Sequence, residues 1–252
     1  MARSNKKHSG LQFDGRRKRH ADRIIRIEDE RREDTVRERK VRVDLIPRNL
    51  AQEEYIEHLN NFGKSIVFAI GPAGTGKTYL AVQKAIKDLK AGFIDKIVIT
   101  RPAVSVDEKH GFLPGDLNKK MEPWTRPIFD VFEEYYSPRE IKSMLEENVL
   151  EIAPLAYMRG RTFKNCTIIF DESQNTTPSQ MKMALTRIGE NCRMFVTGDL
   201  KQSDFKEMNG LHDFFNKIDG YHSSGIAVTR FTCEHIERAA IVEEVLRFYG
   251  EE

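Results

Sequence analysis

Three observations in the sequence predict an α/β fold, a mostly parallel sheet with helices on both faces. Six short apolar runs recur between residues 65 and 231, separated by segments of helical character. The runs are continuous in Val, Ile and Phe and do not alternate with polar residues, which suits strands buried on both faces, as in a parallel sheet. A glycine-rich turn, "GPAGTGKT", joins the first run to the helix that follows. Strands alternating with helices in this way read as a doubly wound sheet.

Each element follows from local chemistry. Residues 1–42 are polar and lack sustained apolar periodicity, so they read as a basic flexible arm, with a charged helix around Ile24 to Arg39 as its one candidate element. The folded domain is expected over 43–252. In "VRVDLIPRNLAQEEYIEHL" Pro47 breaks an extended start, and Leu50, Tyr55, Ile56 and Leu59 then predict a helix. The strands are expected at "SIVFAI" (65–70), "KIVIT" (96–100), "VLEIA" (149–153), "TIIF" (167–170), "RMFVT" (193–197) and "GIAVTRF" (225–231). A helix through "YLAVQKAIKDL" follows the glycine turn. Ser137-Pro138-Arg139-Glu140 and Thr177-Pro178-Ser179-Gln180 both have capping-box spacing with proline at the first helical position. A last helix is expected from Glu234 to Tyr249, stopped by Gly250.

Composition narrows the class. The chain has 252 residues, 39% of them hydrophobic, which is enough for a full core. No apolar run approaches the ~20 residues that a membrane helix needs, and the basic N-terminus has no apolar stretch of the secretory kind. Cys166, Cys192 and Cys233 lack metal-type spacing and read as reduced thiols, in or near the core of a cytoplasmic protein. The net charge of +2 is unevenly spread: residues 1–42 hold 15 Lys/Arg against 8 Asp/Glu, leaving the remainder net negative. "GRRKRH", Gly15 to His20, suits a nucleic-acid arm and a solvated tail equally.

Gly71-x-x-x-x-Gly76-Lys77-Thr78 has the spacing of a phosphate-binding P-loop. Its members are Gly71, Pro72, Ala73, Gly74, Thr75, Gly76, Lys77 and Thr78. The glycines permit unusual dihedrals and close approach to a phosphate. The helix that begins there adds the positive end of its dipole. Lys77 is expected to reach the β- and γ-phosphates of ATP, and the Thr78 hydroxyl to ligate Mg²⁺.

Two further strand ends carry polar chemistry. "TIIFDESQ" puts Asp171 and Glu172 at the carboxyl end of a strand, where ligands bind in open α/β sheets. Asp171 suits a Mg²⁺ role, and Glu172 suits polarising a water for attack on the γ-phosphate. An acidic pair by itself is more often a surface turn. Its distance beyond Lys77, with two candidate strands between, fits ATPases in which an extra strand separates the two motifs. "MFVTGDLKQSD" ends another strand in Thr197-Gly198-Asp199, followed by Gln202, which could bond the attacking water or the γ-phosphate. A polar turn is the plainer reading of Gln202 alone.

These residues, together with "TRPAV" (100–104), "GFLPGDLNKKMEPWTRPIFD" (111–130), "EIAPLAYMRGRTF" (151–163), "DESQNTTPSQMKMALTRIG" (171–189) and "TGDLKQSD" (197–204), make the chain similar to the PhoH family of P-loop ATPases, relatives of superfamily 1 helicases. The resemblance covers roughly Leu50 to Tyr249. It departs at Ser173, where the family commonly has Ala, and at Ile236-Glu237-Arg238-Ala239-Ala240, where Arg238 aligns with a family arginine. The chain resembles the short bacterial and phage forms, without the nuclease domain of some longer relatives.

The resemblance implies a RecA/helicase-like fold, ATP hydrolysis with Mg²⁺, a ring-shaped homo-oligomer with a hexamer favoured, and engagement of single-stranded RNA or DNA. Gln52 stands where related helicases keep a glutamine for adenine, although a solvent-facing helical glutamine fits as well. Arg159, Arg161 or Arg187 could neutralise charge at a neighbouring subunit's ATP, though each alone reads more simply as a surface or nucleic-acid contact. Thr100 and Arg101 are candidate donors to a nucleic-acid backbone, and Trp124 could stack a base, although a lone Trp among prolines is more often packing. Two functions remain open: an ATP-driven motor on single-stranded nucleic acid, and a nucleotide-gated partner of a nuclease or RNA-processing factor.

Overall fold

In the computed structural model, residues 42–102, 117–202 and 209–237 are described, with 241 and 248 singly; of 117–124 only the backbone is described. The arm of residues 1–41 and its candidate helix lie outside the described residues, as do Arg238 and the side chain of Trp124.

The chain runs through α1 (Leu50–Asn60), β1 (Ile66–Ile70), α2 (Lys77–Lys90), β2 (Lys96–Thr100), α3 (Leu117–Glu133), α4 (Pro138–Glu146), β3 (Leu150–Ile152), β4 (Cys166–Phe170), α5 (Pro178–Leu185), β5 (Cys192–Gly198), α6 (Gly210–Ile218) and β6 (Ile226–Arg230). All six expected strands form, within one or two residues of their predicted ends. They make one sheet in the order β3-β2-β4-β5-β1-β6. Every pairing in it is parallel.

The continuous apolar runs are explained by packing on both faces. Phe68, Ile70, Val98, Ile168, Phe170, Met194 and Val196 point to one face, with Met181 and Ala184 of α5 and Leu211 of α6. The intervening residues face the other way. Ile97, Ile99 and Ile169 meet Val82 and Ile86 of α2 and Phe132 of α3. Val67, Ala69 and Phe195 meet Tyr55 and Leu59 of α1. Strand residues alternate in direction, so a strand sandwiched between helix layers needs apolar side chains at every position.

Both predicted capping boxes close. Ser137 N–H donates to Glu140 Oε2 at 2.6 Å, and Glu140 N–H returns to Ser137 Oγ at 3.3 Å. Thr177 N–H donates to Gln180 Oε1 at 2.9 Å, and Gln180 N–H to Thr177 Oγ1 at 3.3 Å. Each box satisfies amides that a helix start otherwise leaves unpaired, a contribution of about 1 kcal/mol.

Two expectations need correction. The last helix does not begin at Glu234: Cys233–His235 is a turn of 3₁₀ helix, closed by Thr232 N–H on His235 Nδ1, and Ile236 is extended. The cysteines are not all interior: Cys233 is exposed, whereas Cys166 and Cys192 are buried on adjacent strands with their sulfurs 3.4 Å apart. Among the described residues no helix is long and apolar enough to cross a membrane.

Candidate nucleotide site

The topology gathers the polar strand ends. β5 lies between β1 and β4, so the glycine loop after β1, Asp171 after β4 and Asp199 after β5 share the carboxyl edge of three neighbouring strands. They enclose a cleft of about 220 Å³ lined by Ala73, Gly74, Gly76, Lys77, Thr78 and Tyr79 from the loop and α2. Asp171, Glu172, Gln174, Gly198, Asp199 and Gln202 line it from the other side.

The loop is shaped by its glycines and braced from behind. Gly74 and Gly76 have φ of 81° and 80°, the left-handed region that other residues adopt at a cost. Gly76 is the N-cap of α2, so the first turn of that helix opens on the cleft with its partial positive charge. Glu237 N–H donates to Gly74 O at 2.9 Å, and Gln52 Nε2 donates to Thr75 O at 3.1 Å. A side chain at Gly71 would place its Cβ 2.3 Å from the Phe231 carbonyl oxygen. Gly71 is therefore required by the chain leaving β6.

Lys77 is nearly buried, and its Nζ donates to Pro72 O at 2.6 Å and to Thr75 Oγ1 at 3.3 Å. Burial pushes its ammonium below the usual lysine value, and the carboxylates of Asp199, Asp171 and Glu172 pull it back up. Thr78 Oγ1 donates to Asp171 Oδ1 at 2.8 Å, and Thr197 Oγ1 donates to the same oxygen. Asp171 is itself positioned by its backbone, whose N–H donates to Thr100 O at 3.0 Å.

Glu172 has a left-handed backbone, φ 53° and ψ 40°. Three other non-glycine residues among those described have positive φ, and all three are asparagines, which tolerate it. For a glutamate the conformation costs on the order of 1 kcal/mol, and such strain collects at functional sites. Glu172 lines the cleft. Its Oε1 lies 3.1 Å from Arg101 Nη2, and its Oε2 accepts from Gln174 Nε2 at 2.5 Å. The Gln174 Oε1 accepts from Asp199 N–H at 3.1 Å. Gln174 thus ties the end of β4 to the end of β5.

Of the residues expected at the site, Ala73, Gly74, Gly76, Lys77, Thr78, Asp171, Glu172 and Gln202 converge on the cleft. Gly71, Pro72, Thr75 and Gln52 do not line it. Gln52 is buried behind the loop, with both amide ends engaged by Arg48 N–H and Thr75 O. Thr100 has no exposed surface, so the expected contact from its hydroxyl to a nucleic-acid backbone is ruled out by burial.

The three candidate arginines differ. Arg161 is held by both oxygens of Glu151, at 2.5 and 3.1 Å, over the Phe163 ring. Arg187 donates to Met183 O, Arg161 O and Thr186 Oγ1. Both guanidiniums are engaged within the chain in this arrangement, so either would have to exchange these bonds to reach a second copy. Arg159 is exposed and makes no ion pair among the described residues. Gln174 was the residue sequence reasoning missed. Its side chain acts across strands, and only its place in "DESQ", two residues after Glu172, could have drawn attention to it.

A family model described as PhoH-like protein matches residues 44–250. The chain is similar to the PhoH-like protein of Bacillus subtilis (strain 168), 42% identical over 207 residues, covering 81% of this chain and 64% of that protein. It is 41% identical to the PhoH-like protein of Mycobacterium tuberculosis (strain ATCC 25618 / H37Rv), over 81% of this chain and 57% of that protein. It is 39% identical to Protein PhoH of Escherichia coli (strain K12), over 82% of this chain and 58% of that protein. The match thus spans between about half and two thirds of the length of these relatives.

Proposed function

The chain belongs to the PhoH family, and from that premise we propose that it is a cytoplasmic ATPase that couples ATP hydrolysis to action on single-stranded RNA or DNA. The observation that carries the reading is the meeting, on one cleft, of a glycine loop at a helix N-terminus, Lys77, a Thr78–Asp171 pair and a strained Glu172. Glycine loops at helix N-termini favour phosphates, and the acidic pair opposite suits phosphoryl transfer to water.

The site's own residues have separable tasks. The loop and Lys77 hold and neutralise the β- and γ-phosphates. The donor set beside them, a threonine hydroxyl bonded to a carboxylate, is of the hard-oxygen kind that fits Mg²⁺. Thr78 and Asp171 would hold that ion, which when bound offsets charge on the phosphates. Glu172 orients a water and takes its proton as the water oxygen bonds to the γ-phosphorus. The bond from that phosphorus to the bridging oxygen breaks, ADP leaves with the electron pair, and the proton passes on to the released phosphate or to solvent. Gln202, exposed on the same cleft, is placed to bond the water or the γ-phosphate.

Arg159, exposed and without an ion pair among the described residues, is the arginine best placed to reach a second copy's ATP, and the active form proposed is a homo-oligomeric ring. Mixing Arg159→Ala subunits with Lys77→Ala subunits would restore turnover if the arginine acts in trans. A monomer by light scattering with full activity at every concentration would exclude the ring.

The deciding experiment is ATP turnover with and without single-stranded RNA and DNA at two salt concentrations, since contacts to phosphates weaken as salt rises. Stimulation that falls with salt supports action on nucleic acid. Turnover indifferent to either polymer would turn the reading toward a nucleotide-gated partner of a nuclease or RNA-processing factor.

A further inference from the structure

We infer that Arg101 is a positioning residue that holds Glu172 back, and that a phosphodiester which takes the Arg101 guanidinium sets the glutamate free to orient water. The inference rests on the proposed ATPase reading and adds how the second ligand would act on its chemistry. It begins from one ion pair, Arg101 Nη2 to Glu172 Oε1 at 3.1 Å. With Gln174 Nε2 on the other oxygen, both oxygens of the proposed base accept from protein donors. A carboxylate has about four acceptor positions, but those aimed into the cleft must be turned toward a water, and two anchors fix the present orientation.

The two partners stand on different sides of the boundary. Glu172 lines the nucleotide cleft, whereas Arg101 does not. Arg101 follows the last residue of β2, and β2 is the strand next to β4 on the side away from the P-loop strand. Because Arg101 stands outside the lining of the cleft, an anion on its guanidinium need not displace nucleotide. The side chains are 23% and 36% exposed, and ion pairs so open to water are weak enough to exchange partners. The guanidinium fork that fits a carboxylate fits a phosphate oxygen pair equally well. A single strand presents such groups in series, so it can claim Arg101 while its other phosphates are held elsewhere.

The strained backbone of Glu172 is consistent with such a restraint. A left-handed residue is held by its partners, and releasing one of them lets the side chain take another rotamer while the β4 end stays in place through Asp171 N–H on Thr100 O. Gln174 remains as the inner anchor and keeps the carboxylate at the cleft.

The test is steady-state ATP turnover by the full chain, as wild type, Arg101→Ala and Arg101→Lys, each with and without oligouridylate or oligothymidylate. Arg101→Ala is expected to raise kcat severalfold without nucleic acid, at unchanged KM for ATP, and to reduce the stimulation ratio to about one. Arg101→Lys, which keeps the charge without the fork, is expected between the two. A raised kcat at unchanged KM, joined to loss of the stimulation, is not what a merely structural role predicts, and a misfolded variant would lose turnover. A kcat for Arg101→Ala at or below wild type, with wild type still stimulated, overturns the inference and leaves the ATPase reading standing. A raised kcat for Arg101→Ala with wild type unstimulated by either polymer supports the restraint on Glu172 and overturns nucleic acid as what lifts it.

Discussion

Charge is buried at both edges of this sheet, to different ends. At the amino-terminal edge, Arg193 of β5 donates to the carbonyls of Lys64, Leu59, His58 and Asn61 at 2.8–3.3 Å and stacks over Phe62 and Phe195. Lys84 and Asp88, on the later turns of α2, pair at 2.6 Å with almost no exposure, and Lys84 lies over the same Phe62. Burial pushes both Lys84 and Arg193 below their usual values, and Asp88 draws both back up. At the carboxyl edge, Lys77, Asp171, Glu172 and Asp199 are also buried or half-buried, but around an open cleft. Their backbone includes a strained glutamate, and their partners are hydroxyls, a backbone carbonyl, a glutamine and a partly exposed arginine. Buried charge alone therefore does not mark the site. Strain and access to a cleft separate the group suited to chemistry from the group that closes a helix–sheet junction.

The comparison is sharpened most by removing chemistry without removing structure. Lys77→Ala and Glu172→Gln are each expected to lower kcat for ATP by about 10²–10³, the usual size for one electrostatic or acid–base group. The thermal midpoint should hardly move. The two should differ in binding: Glu172→Gln keeps ATP on the protein, and Lys77→Ala does not. Hydrolysis by Glu172→Gln at the wild-type rate would remove Glu172 from the water-activating role.

The opposite pattern is expected at the other edge. Asp88→Ala leaves the Lys84 ammonium buried without its partner and should cost about 3 kcal/mol in a urea titration, while kcat per folded molecule stays near wild type. A stability change under about 0.5 kcal/mol would show that Lys84 finds water or loses its proton at little cost. The smallest effect is expected where a polar atom has no partner. The Ser173 hydroxyl is fully buried and unbonded, 2.7 Å from where a side chain on Gly198 would begin. Ser173→Ala should therefore be neutral or stabilise by up to about 1 kcal/mol. A clear loss of stability would mean that the hydroxyl bonds an ordered water.

Much of the fold was legible because its signals are local. A strand buried on both faces needs an unbroken apolar run, and "SIVFAI", "KIVIT" and "TIIF" have no other good use. A capping box joins residues three apart, so Ser137–Glu140 and Thr177–Gln180 can be read without knowing the fold. The failure at Glu234 has the same origin: the helical pattern was present, but Thr232 and His235 closed a tighter turn first.

The site was legible only in part. Sequence by itself determined the glycine loop, because its glycines answer to backbone geometry at fixed spacing, and it determined that Asp171, Glu172 and Asp199 end strands. Which side chains meet was decided by the strand order β3-β2-β4-β5-β1-β6. That order puts Thr78 on Asp171, Arg101 on Glu172 and Gln174 under Asp199, pairs joined across strands. It also seals Thr100 inside, turns Gln52 to the back of the loop and gives Arg161 to Glu151. Apolar pattern, caps and turns depend on neighbours within about four residues. The partner of a long polar side chain depends on whatever the packed sheet brings within 3 Å of its tip, and no short stretch of sequence contains that information.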